Sequence, residues 1–312
     1  MEADRWLGLD LRHLVALKTI ADEGSFGRAA EKLGYTQSAV SQQIATLERI
    51  VGLRLLERPG GPRPISLTEA GHVLLRHADA IQARLLAAKA DMNALEAGDA
   101  GRLRVGTFQS VGVRILPTLL RRFSEQHPGV EVLLRESSDE SELLGMVERG
   151  ELDLTFWTLP VANGPYESVE LLSDPYVLVV PAGSSLAGLK RAPTLKEIGL
   201  HPIIGFNHCT AMDEVESRLA ATGRAPNVVF RSDNNGTVQG LVGAGVGIAV
   251  TPLLTVDEDD PNVDVIHLQG RIEPRIIGLV WHADRHKSPS ADAFVESAVA
   301  VCGELALEPA AA

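Results

Sequence analysis

The 312-residue chain has only two cysteines, Cys209 and Cys302, far apart in sequence. Their scarcity excludes a disulfide framework, and no CxxC pair writes a metal site. A reducing, cytoplasmic setting is expected. Long apolar runs are missing too: no window approaches the roughly 18 uninterrupted apolar residues of a membrane span. The opening "MEADRWLGLDLRHL" carries Glu2, Asp4, Arg5, Asp10 and Arg12 where a secretory signal needs an apolar centre. No nucleophile stands with a base, and no ligand-spaced metal set occurs, so no enzyme, catalytic residue, metal, cofactor or membrane partner is expected. What is present is 45% hydrophobic residues and length enough for two or three domains.

The net charge of -12 argues against nucleic acid until the chain is divided. Residues 1–97 hold 12 basic and 12 acidic side chains, so all the excess acid lies beyond them. Within 24–66, Arg28, Lys32, Arg49, Arg54, Arg58 and Arg63 face Glu31, Glu48 and Glu57, a local balance of +3. A mildly basic head precedes an acidic body.

The head reads as helices. One starts at a capping Asp10, runs through Leu14, Leu17 and Ile20 and stops at Gly24. A second begins at Ser25, places Phe26, Ala29, Ala30 and Leu33 on one face and ends at Gly34. A third starts near Thr36 and buries Val40, Ile44, Leu47 and Val51. "ERPGGPRPISLTEAG" then reads as a loop or short hairpin. A long helix over 68–96 follows, with Ser66 and Glu69 spaced as a capping box. Along it Leu67, Gly71, Leu74, Ala78, Ile81, Leu85, Ala88, Met92 and Leu95 alternate four and three apart, a narrow stripe that predicts pairing with a second such helix. Leu74, Ala78, Ile81, Leu85 and Met92 are the candidate dimer contacts.

After the hinge "GDAG" (98–101), strand patterns at 103–108, 130–136, 152–157, 176–180, 202–206, 228–231, 247–251, 263–268 and 276–281 are separated in many places by helical periodicity. This alternation predicts parallel α/β sheets, and so many strands fit two lobes better than one.

On the third helix Gln37, Ser38, Ser41 and Gln42 share the face opposite Val40, Ile44 and Leu47. A merely solvated face usually carries Lys and Glu pairs, and this one has neither. Glutamine bonds adenine bidentately in the major groove, and serine suits phosphates or base edges. Helix, glycine turn and second helix with such a face make a helix-turn-helix.

The stretch "FGRAAEKLGYTQSAVSQQIATLERIVGLRLLER" with "ISLTEAG" closely resembles the winged helix-turn-helix of LysR-type transcriptional regulators. The likeness continues through "LRVGT", "ILPTLLRRFSEQHPGVEV", "ERGELDLTF", "YVLVVPAGSSLA" and "VGAGVGIAVTP", over nearly the whole chain. It implies an α+β multidomain protein: a winged helix-turn-helix (1–66), a linker and dimerisation helix (67–97), and an effector-binding domain of periplasmic-binding-protein type (98–312). The last divides into one lobe of 102–173 with 274–312 and another of 174–273. Implied partners are double-stranded promoter DNA, a small-molecule effector, further copies of the chain as dimer or tetramer, and RNA polymerase. By position, Ser25 joins the DNA contacts, Thr36 caps the recognition helix, Gln37 and Gln42 reach bases, Ser38 and Ser41 touch phosphate or base edges, and Arg58 and Arg63 sit in the wing. Many relatives carry arginine where Gln42 stands, so adenine is expected here rather than guanine.

Ligands in open α/β folds sit beyond the carboxyl ends of strands, at helix N-termini. The corresponding stretches are "TFQSVG" (107–112), "ESSDE" (136–140), "FWT" (156–158), "GFNHCT" (205–210) and "SDNNGT" (232–237). Thr107, Gln109, Ser110, Ser137, Phe206, Asn207 and Asn234 are the candidate effector contacts. Such donors suit a small anion, while Phe156, Trp157 and Phe206 would equally wall an aromatic pocket; the residues leave both open. Alternatives are a constitutive regulator without ligand, or a redox-responsive one through Cys209, beside His208. "GAGVG" (243–247) lacks the GxGxxG spacing and reads as a helix-to-strand turn.

Overall fold

The computed structural model describes residues 3–57, 64–97, 101–161, 164–189, 191–207, 210–223, 225–268, 270–285 and 287–305. Two compact units divide the chain, Met1–Asp91 and Met92–Ala312. Among the described residues no helix is long and apolar enough to cross a membrane.

In the first unit, α1 (Ala3–Trp6) precedes α2 (Leu11–Glu23). Asp10 caps α2: its carboxylate accepts from the Arg12 amide at 3.1 Å, while its own amide donates to His13 Nδ1 at 3.1 Å. α3 (Phe26–Leu33) and α4 (Gln37–Val51) meet at Gly34, whose φ of 69° lies in the left-handed region that side chains disfavour. Leu14, Leu17, Ile20, Ala29, Ala30, Val40, Ile44 and Leu47 form one core. Burying each of the larger side chains stabilises by about 1.5–3 kcal/mol, so α4 is anchored along one face and its opposite face is left to solvent.

β1 (Leu56–Glu57) and β2 (Ser66–Leu67) pair antiparallel, Leu56 opposite Leu67. Glu48 on α4 accepts the Leu55 amide at 2.9 Å and the Leu56 amide at 3.4 Å, tying this hairpin to α4. The expected box of Ser66 and Glu69 does not form, because Ser66 is committed to β2 and its hydroxyl turns to Glu57 at 3.4 Å. Thr68 takes the role at the start of α5 (Glu69–Ala97), accepting from the Gly71 amide at 3.0 Å and donating to the Arg54 carbonyl at 2.7 Å. Gly71 itself is needed because any Cβ there would run into the Leu55 carbonyl. The predicted stripe along α5 also divides. Leu74 and Ala78 are occupied within the core of the first unit, whereas Ile81, Leu85 and Met92 are 45%, 51% and 57% exposed.

The second unit begins with β3 (Arg102–Thr107), α6 (Gln109–Arg114), α7 (Leu116–Gln126), β4 (Glu131–Glu136), α8 (Glu140–Glu148), β5 (Leu154–Leu159) and β6 (Tyr166–Asp174). The chain then crosses into β7 (Tyr176–Pro181), α9 (Leu195–Ile198), β8 (Pro202–Gly205), α10 (Thr210–Ala220), β9 (Asn227–Arg231), α11 (Asn235–Gly243), β10 (Ala249–Pro252) and β11 (Val263–His267). It returns as β12 (Arg275–His282) and α12 (Pro289–Glu304). Five strands lie in the order β4-β3-β5-β12-β6, three in the order β10-β7-β11, and β8 pairs with β9. One core, with Phe123, Phe156 and Phe294, packs on the five-stranded sheet; two others surround β7.

The sheets are mixed, which corrects the expectation of parallel ones. β3 runs parallel to β4 and β5, and β8 to β9, but β12 is antiparallel to β5 and β6, and β7 to β10 and β11. A returning strand such as β12 enters the sheet from the crossing side, so it runs against its neighbours without needing a crossover helix. β6 is absent from the strands expected of the sequence because its apolar residues Tyr166, Val169, Leu171 and Leu172 do not alternate with polar ones.

Candidate nucleic-acid interface and ligand cleft

The outward face of α4 collects the sequence's candidates. Thr36 caps the helix, its hydroxyl accepting from the Ala39 amide at 3.2 Å, and lies 3.0 Å from the Ser38 hydroxyl. Gln37, Ser38 and Gln42 are exposed and Ser41 is half-buried. Ser25 precedes α3 without making a side-chain cap. Its hydroxyl and the Gln37 carboxamide oxygen both lie within 4.0 Å of where a Cβ on Gly27 would stand, so the starts of α3 and α4 open onto one space. Arg58 and Arg63 lie outside the described residues. Arg28 and Lys32 are both drawn to Glu23, Lys32 at 2.7 Å; the Lys32 hydrogen bond and charge hold the Glu23 carboxyl below its usual range.

In the second unit a cavity of about 410 Å³ opens between β3, β4 and α8 on one side and β8, β9 and α11 on the other. Of the expected contacts, Gln109, Ser110, Ser137, Phe206 and Asn234 line it. Gln109 bridges the two sides by accepting the Asn235 amide at 2.8 Å. Ser137 donates to Glu142 at 2.6 Å, and Asn234 caps α11 by accepting from the Thr237 amide at 2.9 Å. Thr107 and Asn207 are not among its lining residues. Thr107 is buried behind the wall, its hydroxyl turned to the Phe108 carbonyl at 3.4 Å. Asn207 points to Asp233, donating from Nδ2 at 3.2 Å. Phe156 belongs to the core and Trp157 is buried on β5, so neither walls the cavity; only Phe206 of the three does.

The residue that sequence reasoning missed is Arg275. It starts β12, lines the cavity and keeps its side chain only 6% exposed. Its Nε donates to Asp174 Oδ2 at 2.8 Å and its Nη2 to Ser110 Oγ at 2.8 Å. Asp174, at the end of β6, also accepts the Leu254 amide at 3.0 Å. Burial pushes the Asp174 pKa up, while the Arg275 charge and these hydrogen bonds pull it back. Both ends of the pair sit where the chain crosses between lobes, 101 residues apart in sequence, so no local motif announces them. Glu140, at the start of α8, also faces the cavity; burial raises its pKa, with Arg275 as the main counterweight and a 3.5 Å bond from Thr158 as a lesser one. Cys302 is buried in the core and its thiol pKa is pushed up to about 11, which leaves it unreactive at neutral pH. His208 and Cys209 lie outside the described residues. No group of three or more His, Cys, Asp or Glu that would hold a metal occurs among the described ones.

A helix-turn-helix with one exposed polar face, followed by a two-lobed α/β domain with a cleft, is the architecture of a DNA-binding regulator with an effector-binding domain. The chain matches the LysR substrate binding domain over residues 96–303 and the bacterial regulatory helix-turn-helix of the lysR family over residues 11–72. It belongs to the LysR family of DNA-binding transcriptional regulators, with an effector-binding domain after the helix-turn-helix. It is 29% identical to the uncharacterized regulator YybE of Bacillus subtilis over 92% of this chain and 97% of that protein. It is 30% identical to a probable hydrogen peroxide-inducible genes activator of Mycobacterium avium over 89% of each. Full-length CbnR in complex with its target DNA shares the fold, with a TM-score of 0.59 and 23% identity over 94% of this chain and 100% of that one.

Proposed function

We propose that this regulator works in the cytoplasm and reads its operator with Gln37, Ser38, Ser41 and Gln42 in the major groove, Thr36 fixing the start of α4 and Ser25 taking a phosphate. Arg58 and Arg63 extend the footprint from the wing to the backbone or minor groove. The observation that carries the reading is the polarity of α4: Val40, Ile44 and Leu47 are fully buried, while the amides of Gln37 and Gln42 make no hydrogen bond among the described residues. Donor-acceptor amides held on a rigid, one-sided anchor suit adenine edges.

Two copies associate through Ile81, Leu85 and Met92, the open part of the α5 stripe, which sets half-site spacing on promoter DNA. A small effector occupies the cavity beside Arg275, binds one arrangement of the lobes better than the other, and so changes DNA spacing or bending and the meeting with RNA polymerase. Support comes from the hydrogen bond that crosses the cavity between the lobes, which Gln109 accepts from the Asn235 amide. The test is a binding-site selection with Gln42→Ala. It should lose about 1–3 kcal/mol on the preferred operator and relax preference at one base pair per half-site; unchanged selectivity would remove Gln42 from the base contacts.

A further inference from the structure

The charges that line the cavity do not suit a simple anion. Arg275 is its one cation among the described lining residues, and Asp174 already neutralises it. Against it stand Glu136, Glu140 and Asp233. Asp233 is engaged by Asn207, but Glu136 makes no hydrogen bond or ion pair among the described residues, and Glu140 has only the long contact from Thr158. A small anion alone would meet net repulsion. Yet a guanidinium has five donors, and the hydrogen bonds of Arg275 come from Nε and Nη2 alone. Among the described residues its Nη1 makes no hydrogen bond, although the side chain is 94% buried with its guanidinium 5.5 Å from the Phe108 ring, and the remaining exposure opens into the cavity that it lines. Leaving donors of a buried charge unmatched is costly unless something fills the place. The rest of the wall mixes uncharged polar groups, among them Gln109, Ser137 and Asn234, with an apolar side formed by Phe108, Phe206 and Met212. At about 410 Å³ the space fits a metabolite rather than a peptide.

We propose that the cleft takes a zwitterionic, amino-acid-like ligand, its carboxylate on Arg275 Nη1, its ammonium between Glu136 and Glu140, and an apolar body against Phe108, Phe206 and Met212. Both charges are then matched by charge-assisted hydrogen bonds, which are roughly twice as strong as neutral ones. Opposed demands at the two ends also give selectivity, since a compound lacking either charge leaves a site group unpaired. This inference rests on the cavity being the effector site.

The experiment is a thermal-shift and calorimetric screen of the full chain against the twenty common L-amino acids. For each hydrophobic one, the deaminated acid and the decarboxylated amine are run beside it, as with phenylalanine, 3-phenylpropionate and phenethylamine. One or more zwitterions should stabilise the protein, and each counterpart should bind roughly ten- to a hundred-fold more weakly. Glu140→Gln should weaken the zwitterion by a similar factor while leaving the affinity for the deaminated acid the same or higher, since one repelling charge is gone. Equal or tighter binding of the deaminated acid, or no stabilisation by any amino acid, overturns the proposal and leaves the cleft as effector site standing. If an amino acid binds equally well to wild type, Glu140→Gln and a Ser110→Trp variant that fills the cavity, the ligand lies elsewhere and the effector-site reading itself fails.

Discussion

Removing Asp174 should damage the effector-binding domain more than its single side chain suggests. Its carboxylate is fully buried and accepts from Arg275 Nε at 2.8 Å, from Nη2 at 2.8 Å and from the Leu254 amide at 3.0 Å. Asp174→Ala therefore strands a buried guanidinium, which costs about 3–5 kcal/mol. With roughly 2–3 kcal/mol per molar urea for a domain of this size, the unfolding midpoint should fall by about 1–2 M. Trp157, buried on β5, reports the transition by fluorescence. The decisive comparison is the double variant Asp174→Ala with Arg275→Met. If the cost is the orphaned charge, the double variant regains at least half of the loss, because only the Leu254 amide and the Ser110 hydroxyl are then left with fewer partners. A double variant no more stable than Asp174→Ala would refute the argument, since the loss would then lie in packing or backbone hydrogen bonding.

Three further outcomes can be checked. Thr36→Ala removes the cap of α4 and should lower the stability of the first unit by about 0.5–2 kcal/mol, with Thr36→Ser restoring most of it, as followed by circular dichroism. Glu140→Gln should raise the melting temperature of the ligand-free protein at neutral pH. Burial raises the Glu140 pKa above its ordinary 4.5, so wild type loses stability as pH climbs from 4.5 through the raised value, and the two proteins should converge below it; a pH-independent difference would count against burial as the cause. Leu85→Glu places a charge on the open stripe of α5 and should shift sedimentation toward the monomer, whereas unaltered association would move the dimer contact elsewhere.

Much of the first unit was legible because its signals are local. The spacing of Val40, Ile44 and Leu47, a cap at Thr36 and a left-handed Gly34 each act within a turn or two of helix. The spacing of Ser66 and Glu69 points to the wrong cap for α5 because the true one depends on how far the hairpin extends, and Thr68 reaches Arg54 only once β1 and β2 have paired. Leu74 and Leu85 look alike in the heptad, yet one contacts the core of its own unit and the other does not, a distinction made by where α2 to α4 end. For the cleft, four of the five strand-end stretches line the cavity, because strand ends and helix starts share one geometry in open α/β folds. Phe156 and Trp157 do not, since a short apolar run carries no mark of which face of a strand is covered.

By itself the amino-acid order determined helices α2 to α5, the amphipathic face of α4 and the kinship to LysR regulators, all of which depend on residues close together along the chain. Only the tertiary structure decided the direction of β12, the division of the α5 stripe and the place of Arg275 beside Asp174 and Ser110. These depend on segments distant along the chain, more than a hundred residues apart for Arg275, and no periodicity of a linear chain encodes which distant side chain will neutralise a buried charge.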